Sequence, residues 1–345
     1  MTGLLACALL LAADNAPERL IEDGHWKRAK AVVEPLYNAN PNDARLNYLM
    51  SQIKMIFRDL DAATALGEKA VSLDGSSADY HHHLSELYGL AAQRAGMFKG
   101  FGLAKKFRKE NEAALKMNPK HTHALFALMS FYFEAPGIIG GDKNKARATA
   151  EKILETNAAE GYVARFELAE KEKNEAAMEE SLKKAVAADP SLYRTRAMLA
   201  GFYLNRAKLD EAERVASEAL ALNPGRVRAH AQLAAVAAFR GRFAELDSIL
   251  ARAEKQAPDD LAPYYSAGNV LLEKNQLEKA EACFRKYLTQ EPEGNSPIAA
   301  AAHWRLGLVL EKQGKKHAAI SELATAVKLA PSMEPAVKDL KRLKR

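Results

Sequence analysis

Residues 193–224 read YRTRAMLAGFYLNRAKLDEAERVASEALALNP, residues 227–258 read VRAHAQLAAVAAFRGRFAELDSILARAEKQAP, and residues 261–292 read LAPYYSAGNVLLEKNQLEKAEACFRKYLTQEP. These are three copies of one pattern. Each closes on a proline, and with Pro190 ahead of them the prolines stand at 190, 224, 258 and 292, a constant step of 34 residues. In the last copy Tyr264, Ala267, Gly268 and Leu271 share one helical face, Asn275-Gln276 marks a turn, and Ala280, Phe284 and Tyr287 share a second face. The copy before it offers Leu233, Ala234 and Ala237, then Leu246, Leu250 and Ala253; the first offers Leu199, Ala200 and Tyr203, then Ala212, Ala216 and Ala219. Small residues recur at Ala200, Ala234 and Gly268, and again at Ala212 and Ala280. Because contact residues set the distance between helix axes, this predicts two helices held close together. The closing proline predicts the end of the second helix.

A fixed step of this length is the mark of helix–turn–helix units stacked on their neighbours. The pattern resembles the tetratricopeptide-repeat (TPR) family. Its clearest copy is Trp304-Arg305-Leu306-Gly307 followed by Leu310, Ala319, Leu323, Ala326 and Pro331. The resemblance implies an all-α chain, a right-handed superhelical solenoid of about nine helix–turn–helix units with a C-terminal capping helix. On that reading residues 1–13 are a signal-like apolar segment, residues 14–331 the solenoid, and residues 332–345 a basic capping helix.

Outward from the three copies the register continues with local departures. The first unit is partial, with a short helix over about 16–23 and a second from Trp26 carrying Ala29, Val33 and Leu36. The second unit shows Met50, Ser51, Ala63, Gly67 and Ala70, with Asp74-Gly75 in place of the proline. The third, from Gly75 to Pro119, exceeds the period by 10 residues. That excess falls around residues 94–102 and predicts an extended turn or lengthened helices. Phe98 and Phe101 there are expected to fold back onto the solenoid, the other reading being a contact with a partner. In the fourth unit Pro136 ends the first helix, Gly140-Gly141 turns the chain and Asp142 caps the next helix. This loop looks like one in exported bacterial TPR proteins, such as components associated with TRAP-type solute transporters. The fifth unit, about 161–190, is the least regular, and residues 293–297 form an insertion before the last.

Leu4 to Ala13 is a continuous apolar run too short to span a bilayer and of the length of a signal-peptide core. Export to the periplasm or cell envelope is therefore expected, with a cytoplasmic location as the alternative. The chain has 345 residues and a formal net charge of +6, half of it in residues 334–345. Those cations suit the C-terminal end of a helix. The two cysteines, Cys7 and Cys283, give no disulfide framework, and Cys283 is expected to be a small buried residue.

The chemistry-bearing residues do not assemble a catalyst. His81-His82-His83 point in different directions on a helix, and the His82–Glu86 spacing alone leaves a metal site incomplete. No nucleophile–base set stands out and no non-repeating region remains for a catalytic domain, so no enzyme, cofactor or metal is expected. In TPR proteins the concave groove is lined by first-helix residues. Carried over, these are Tyr48, Gln52, His82, Glu86, Phe126, Ser130, Phe133, Arg194, Asn205, Arg228, Phe239, Tyr265, Asn269 and Trp304. The mixture of aromatic and polar groups suits an extended peptide or helix of a protein partner. Gly268-Asn269 resembles the start of a carboxylate-gripping subclass, but Arg305 stands where its second asparagine belongs, so that clamp is incomplete. A solute- or lipid-binding module associated with a transporter is the alternative, and it requires a closed apolar cavity. Membrane association stays open. Nucleic acid is disfavoured, because positive charge does not recur at fixed places along the helices.

Overall fold

A computed structural model describes residues 16–345, so the apolar segment 1–13 and Cys7 lie outside the described residues. Every regular element among the described residues is helical, with nineteen α-helices and one short 3₁₀ turn. Two compact units divide the chain. Residues 16–22 and 26–195 belong to unit 1, and residues 23–25 and 196–345 to unit 2.

Unit 1 holds α1 (Pro17–Asp23), α2 (Trp26–Ala39), α3 (Ala44–Ile56), α4 (Leu60–Leu73), α5 (Ala78–Arg94), α6 (Met97–Met117), α7 (Thr122–Glu134), α8 (Lys143–Thr156), α9 (Ala158–Lys171) and α10 (Glu175–Ala188). The helix α11 (Tyr193–Leu204) starts at its end. Unit 2 continues with α12 (Leu209–Leu222), α13 (Val227–Phe239), α14 (Phe243–Gln256), α15 (Ala262–Glu273), α16 (Leu277–Tyr287), α17 (Ala299–Lys312), α18 (Lys316–Leu329) and α19 (Glu334–Leu343). Successive helices pack as pairs, α3 on α4 and α15 on α16 among them, and first helices also lie side by side, as α13 does on α15.

Two small backbone devices set the period. The first closes the first helix of each regular pair. Lys173, Ala207, Gly241 and Asn275 all have positive φ, at 56°, 53°, 68° and 57°, and each lies 34 residues from the next. Around each, the following N–H reaches back to a carbonyl five residues earlier: Asn174 to Ala169 (2.8 Å), Lys208 to Tyr203 (3.0 Å), Arg242 to Ala237 (2.9 Å) and Gln276 to Leu271 (2.8 Å). This is the Schellman closure, which satisfies carbonyls that the helix end leaves over. Arg58 and Gly314 repeat it after α3 and α17. The second device ends several of the second helices. Asn118, Asp189 and Asn223 precede prolines, which bar them from helical geometry, and all three are extended with φ between −132° and −147°. Their side-chain oxygens accept the N–H two residues on, from Lys120 (3.1 Å), Ser191 (2.9 Å) and Gly225 (3.1 Å). Asp74 makes the same turn to Ser76 without a proline.

The predicted close approaches are present. A Cβ on Gly268 would lie 3.0 Å from the Phe284 ring, and Ala200, Ala212, Ala234 and Ala280 are fully buried. In unit 1 the core runs through Leu49, Ile53, Leu87, Met129 and Ile153; in unit 2 through Leu271, Phe284, Tyr287, Leu306, Leu310 and Leu323. The basic C-terminal stretch forms α19, which docks on α17: Trp304 Nε1 donates to Asp339 Oδ2 (2.9 Å) and Arg342 pairs with Glu311. Cys283 is buried, as expected.

A left-handed backbone costs an L-residue roughly 1–2 kcal/mol. Flexibility of glycine in the unfolded chain costs about 0.4–1 kcal/mol. Gly241→Ala should therefore lower the urea midpoint of unfolding and Ala207→Gly should raise it. Equal midpoints for the two variants would show that the closure carries no strain.

Candidate partner-binding site

In unit 1 the first helices α3, α5, α7 and α9 follow one another side by side. Here the structure draws several predicted site residues together. Gln52 Nε2 donates to Tyr48 Oη (2.9 Å), the Tyr48 ring lies 4.8 Å from that of Tyr80, and it meets His83 edge-on at 5.5 Å. Burial together with the Asp79 and Glu86 carboxylates pushes the Tyr48 phenol far above its ordinary range, so it stays a neutral donor. His82 is buried, stacks on His123 at 5.9 Å and places Nδ1 3.3 Å from Asn111 Oδ1. Arg194, at the start of α11, lies 5.8 Å from the Phe126 ring on α7 while pairing with Glu160 at 2.6 Å. Lys143 stands 5.0 Å over Phe133. These cation–ring contacts are worth about 0.5–1 kcal/mol each at exposed sites.

Two turns of unit 1 break the standard closure, and both border a cavity of about 570 Å³. The ten extra residues lengthen α5 and α6 to 17 and 21 residues, joined at Ala95-Gly96 with no left-handed closing residue. After α7, Pro136 and the 3₁₀ turn Gly137–Ile139 carry the chain to Gly140, at φ +106°. A Cβ at Gly141 would fall 1.6 Å from the Ala135 carbonyl oxygen, so only glycine fits there. The long α5–α6 pair thus forms a wall beside α7. Its lining is mainly small and aromatic, with Gly89, Ala104 and Ala127 leaving the space and Phe101, Phe107 and Phe131 bounding it. Phe107 stacks on Phe131 at 5.4 Å. Among the described residues, the polar side chains on the lining are Glu86, Gln93, Ser130 and Glu134, with no Lys, Arg or His. Of the predicted residues, only Glu86 and Ser130 line this cavity. Met55, Gly89, Ala104, Phe107 and Ile139 were not foreseen; the excess of ten residues was the signal that led toward them. Phe98 does not fold back and is 91% exposed, whereas Phe101 lines the cavity.

In unit 2 the predicted residues are scattered. Tyr265 packs against Phe284 (5.7 Å) and Tyr287 (5.3 Å), so it is half core. Lys274 lies 3.6 Å over the Phe239 ring. Asn205 and Arg228 are exposed, and Asn269 Oδ1 is buried without a hydrogen-bond partner. Trp304 is held by α19 through Asp339, with Arg305 stacked on it at 4.4 Å.

These repeating pairs fit a known fold. Residues 265–334 match the tetratricopeptide-repeat family model. The crystal structure of yeast Tom70 is similar to this chain with a TM-score of 0.53 at 13% identity, over 98% of this chain and 88% of that one. Residues 265–334 thus carry tetratricopeptide-repeat sequence, and the described residues share the paired-helix fold of that structure. A TPR protein from Parabacteroides merdae is similar at a TM-score of 0.49 and 16% identity, over 76% of this chain and 99% of that one. No curated protein matches the sequence.

Two buried side chains illustrate what burial does to the chemistry of this fold. Burial pushes the Cys283 thiol up to about 12, which leaves it protonated at neutral pH and a poor nucleophile. In a Cys7→Ser variant the native protein should therefore resist iodoacetamide at pH 7.5 and react once unfolded; rapid native labelling would refute this. Burial also holds the His82 imidazole below its ordinary range, against the opposing pull of Glu86. The unfolded chain then takes up the proton first as pH falls below about 6.5, so stability present above that pH is lost on acidification. His82→Gln should show a smaller fall in Tm between pH 7 and 5.5 than the wild type; an equal fall would remove His82 from the pH response.

Proposed function

We propose that this chain is a non-catalytic adaptor that holds a segment of a partner protein along the first-helix face of unit 1. Tetratricopeptide folds serve in general as scaffolds for protein–protein interaction. The observation that carries the reading is the continuity of one surface. The Tyr48–Gln52 pair on α3, Glu86 on α5, and Phe126, Ser130 and Phe133 on α7 lie on neighbouring first helices, and Glu86 and Ser130 among them line the apolar cavity. Aromatic anchors seated in a concave apolar site are what peptide recognition uses. The signal-like segment 1–13 supports action in the cell envelope, to be checked by fractionation.

The test is affinity capture from the native cell, comparing wild type with Tyr48→Ala/Phe126→Ala of verified fold. A partner lost only from the variant is the expected result. Identical capture by both proteins would sink the reading.

A solute- or lipid-binding module is the second reading. It is favoured by the cavity volume, which falls within the usual span of small-molecule sites, about 300–1,000 Å³. Native mass spectrometry of the purified protein would reveal a retained small molecule, and Ala104→Trp would displace it.

A further inference from the structure

The cavity in unit 1 has a charge character of its own. Among the described residues, both charged groups on its lining are carboxylates, Glu86 and Glu134. Glu134 already pairs with Lys171. Glu86 does not have such a partner: its side chain is 46% exposed, and the groups near it are His82 Nε2 and His83 Nδ1, each at 3.7 Å.

The neutral His83 imidazole gives Glu86 no proton. The Ser51 hydroxyl donates to the Ala63 carbonyl (2.7 Å), so its oxygen accepts from His83 Nε2 (2.8 Å). The neutral His83 tautomer that makes this bond turns a lone pair on Nδ1 toward Glu86. His82 behaves likewise when its Nδ1 donates to Asn111 Oδ1. A half-exposed carboxylate thus stands at the edge of an apolar cavity, facing the His83 Nδ1 lone pair, with no Lys or Arg paired to it among the described residues.

The rim adds a second feature. Phe98, at 91% exposure, and Ile138, at 88%, project from the two segments whose neighbours Phe101 and Ile139 line the cavity. Large apolar groups this exposed beside an apolar opening indicate an occupant that extends past the cavity.

We infer that the cavity receives an amphipathic segment of a partner protein, with apolar side chains between Phe101 and Phe131 and a lysine or arginine at Glu86. This rests on the adaptor reading above and names the chemistry of its partner. The cation supplies the hydrogen-bond donor that Glu86 lacks, in a setting where charged pairs are stronger than in open solvent. A carboxylate-bearing segment would be repelled there. The discrimination is local, because the chain as a whole carries a net charge of +6 and attracts acidic ligands elsewhere.

The test uses the full chain and two short fluorescent helical peptides, one of Leu and Lys, the other of Leu and Glu with the same apolar pattern. Anisotropy titrations should show the Leu/Lys peptide bound at least about tenfold more tightly, and Glu86→Gln should remove most of that preference. Glu86 is exposed, so this variant keeps the fold. Ala104→Trp, which fills the cavity, and Phe101→Ala, which opens its wall, should each weaken Leu/Lys binding. Equal binding of the two peptides, or a preference untouched by Glu86→Gln, overturns the inference. If Leu/Lys binding ignores Ala104→Trp and Phe101→Ala yet is lost in Tyr48→Ala/Phe126→Ala, the cavity inference fails and the adaptor reading stands. If none of these variants changes binding, both fail. Sedimentation with phosphatidylglycerol vesicles that is lost in Phe98→Ser would assign the apolar rim to a membrane surface and overturn the protein partner.

Discussion

The left-handed residue that closes the first helix of each regular pair is the constraint on which this structure depends. A helix end leaves carbonyls without partners, and one residue at positive φ lets the next N–H return to them. The same residue reverses the chain, so the second helix falls back against the first. The recurrence of this conformation at Lys173, Ala207, Gly241 and Asn275 keeps successive pairs in one register. Only one of those four positions is glycine. The repeat therefore tolerates backbone strain at the others, and packing between pairs must offset it.

The candidate site occupies the part of unit 1 where that rule is suspended. After α5 the chain does not reverse at the usual point, and the helices run on by several turns. After α7 the reversal takes a longer path through Pro136 and Gly140-Gly141. A first-helix row made only of regular pairs offers a shallow face. Here the overhanging start of α6 brings Phe101, Ala104 and Phe107 beside α5 and α7, and the face becomes a cavity. Departures from local regularity that persist within a repeating scaffold are where function is expected to reside.

Much of the fold could be read from residue spacing alone. The proline step announced the second-helix ends, and Ala200, Ala234 and Gly268 announced the close helix contacts. Both follow from chain-local sterics, which act in the same way in every copy. The Asx turns at Asn118, Asp189 and Asn223 were present in the same triplets but needed backbone angles to be recognised. The site was less legible. Helical spacing selects a face but not its occupant, so Trp304 reads like a groove residue when it is held by Asp339 from the terminal helix. Tyr265 reads the same way and is half buried against Phe284 and Tyr287. Phe98 and Phe101, three residues apart, have opposite fates that the direction of α6 decides.

The sequence by itself determined that this chain is a series of paired helices, where each pair begins and ends, and that one unit carries ten residues too many. Those facts lie in turn chemistry and side-chain size, which act over a few residues. Only the tertiary structure decided what the extra residues build, which carboxylate on the cavity wall goes without a cation, and which aromatic side chains face solvent. Those outcomes depend on contacts between helices far apart in sequence. Glu86 becomes distinctive only when Ser51, Ala63, His83 and Asn111 have directed the surrounding protons elsewhere.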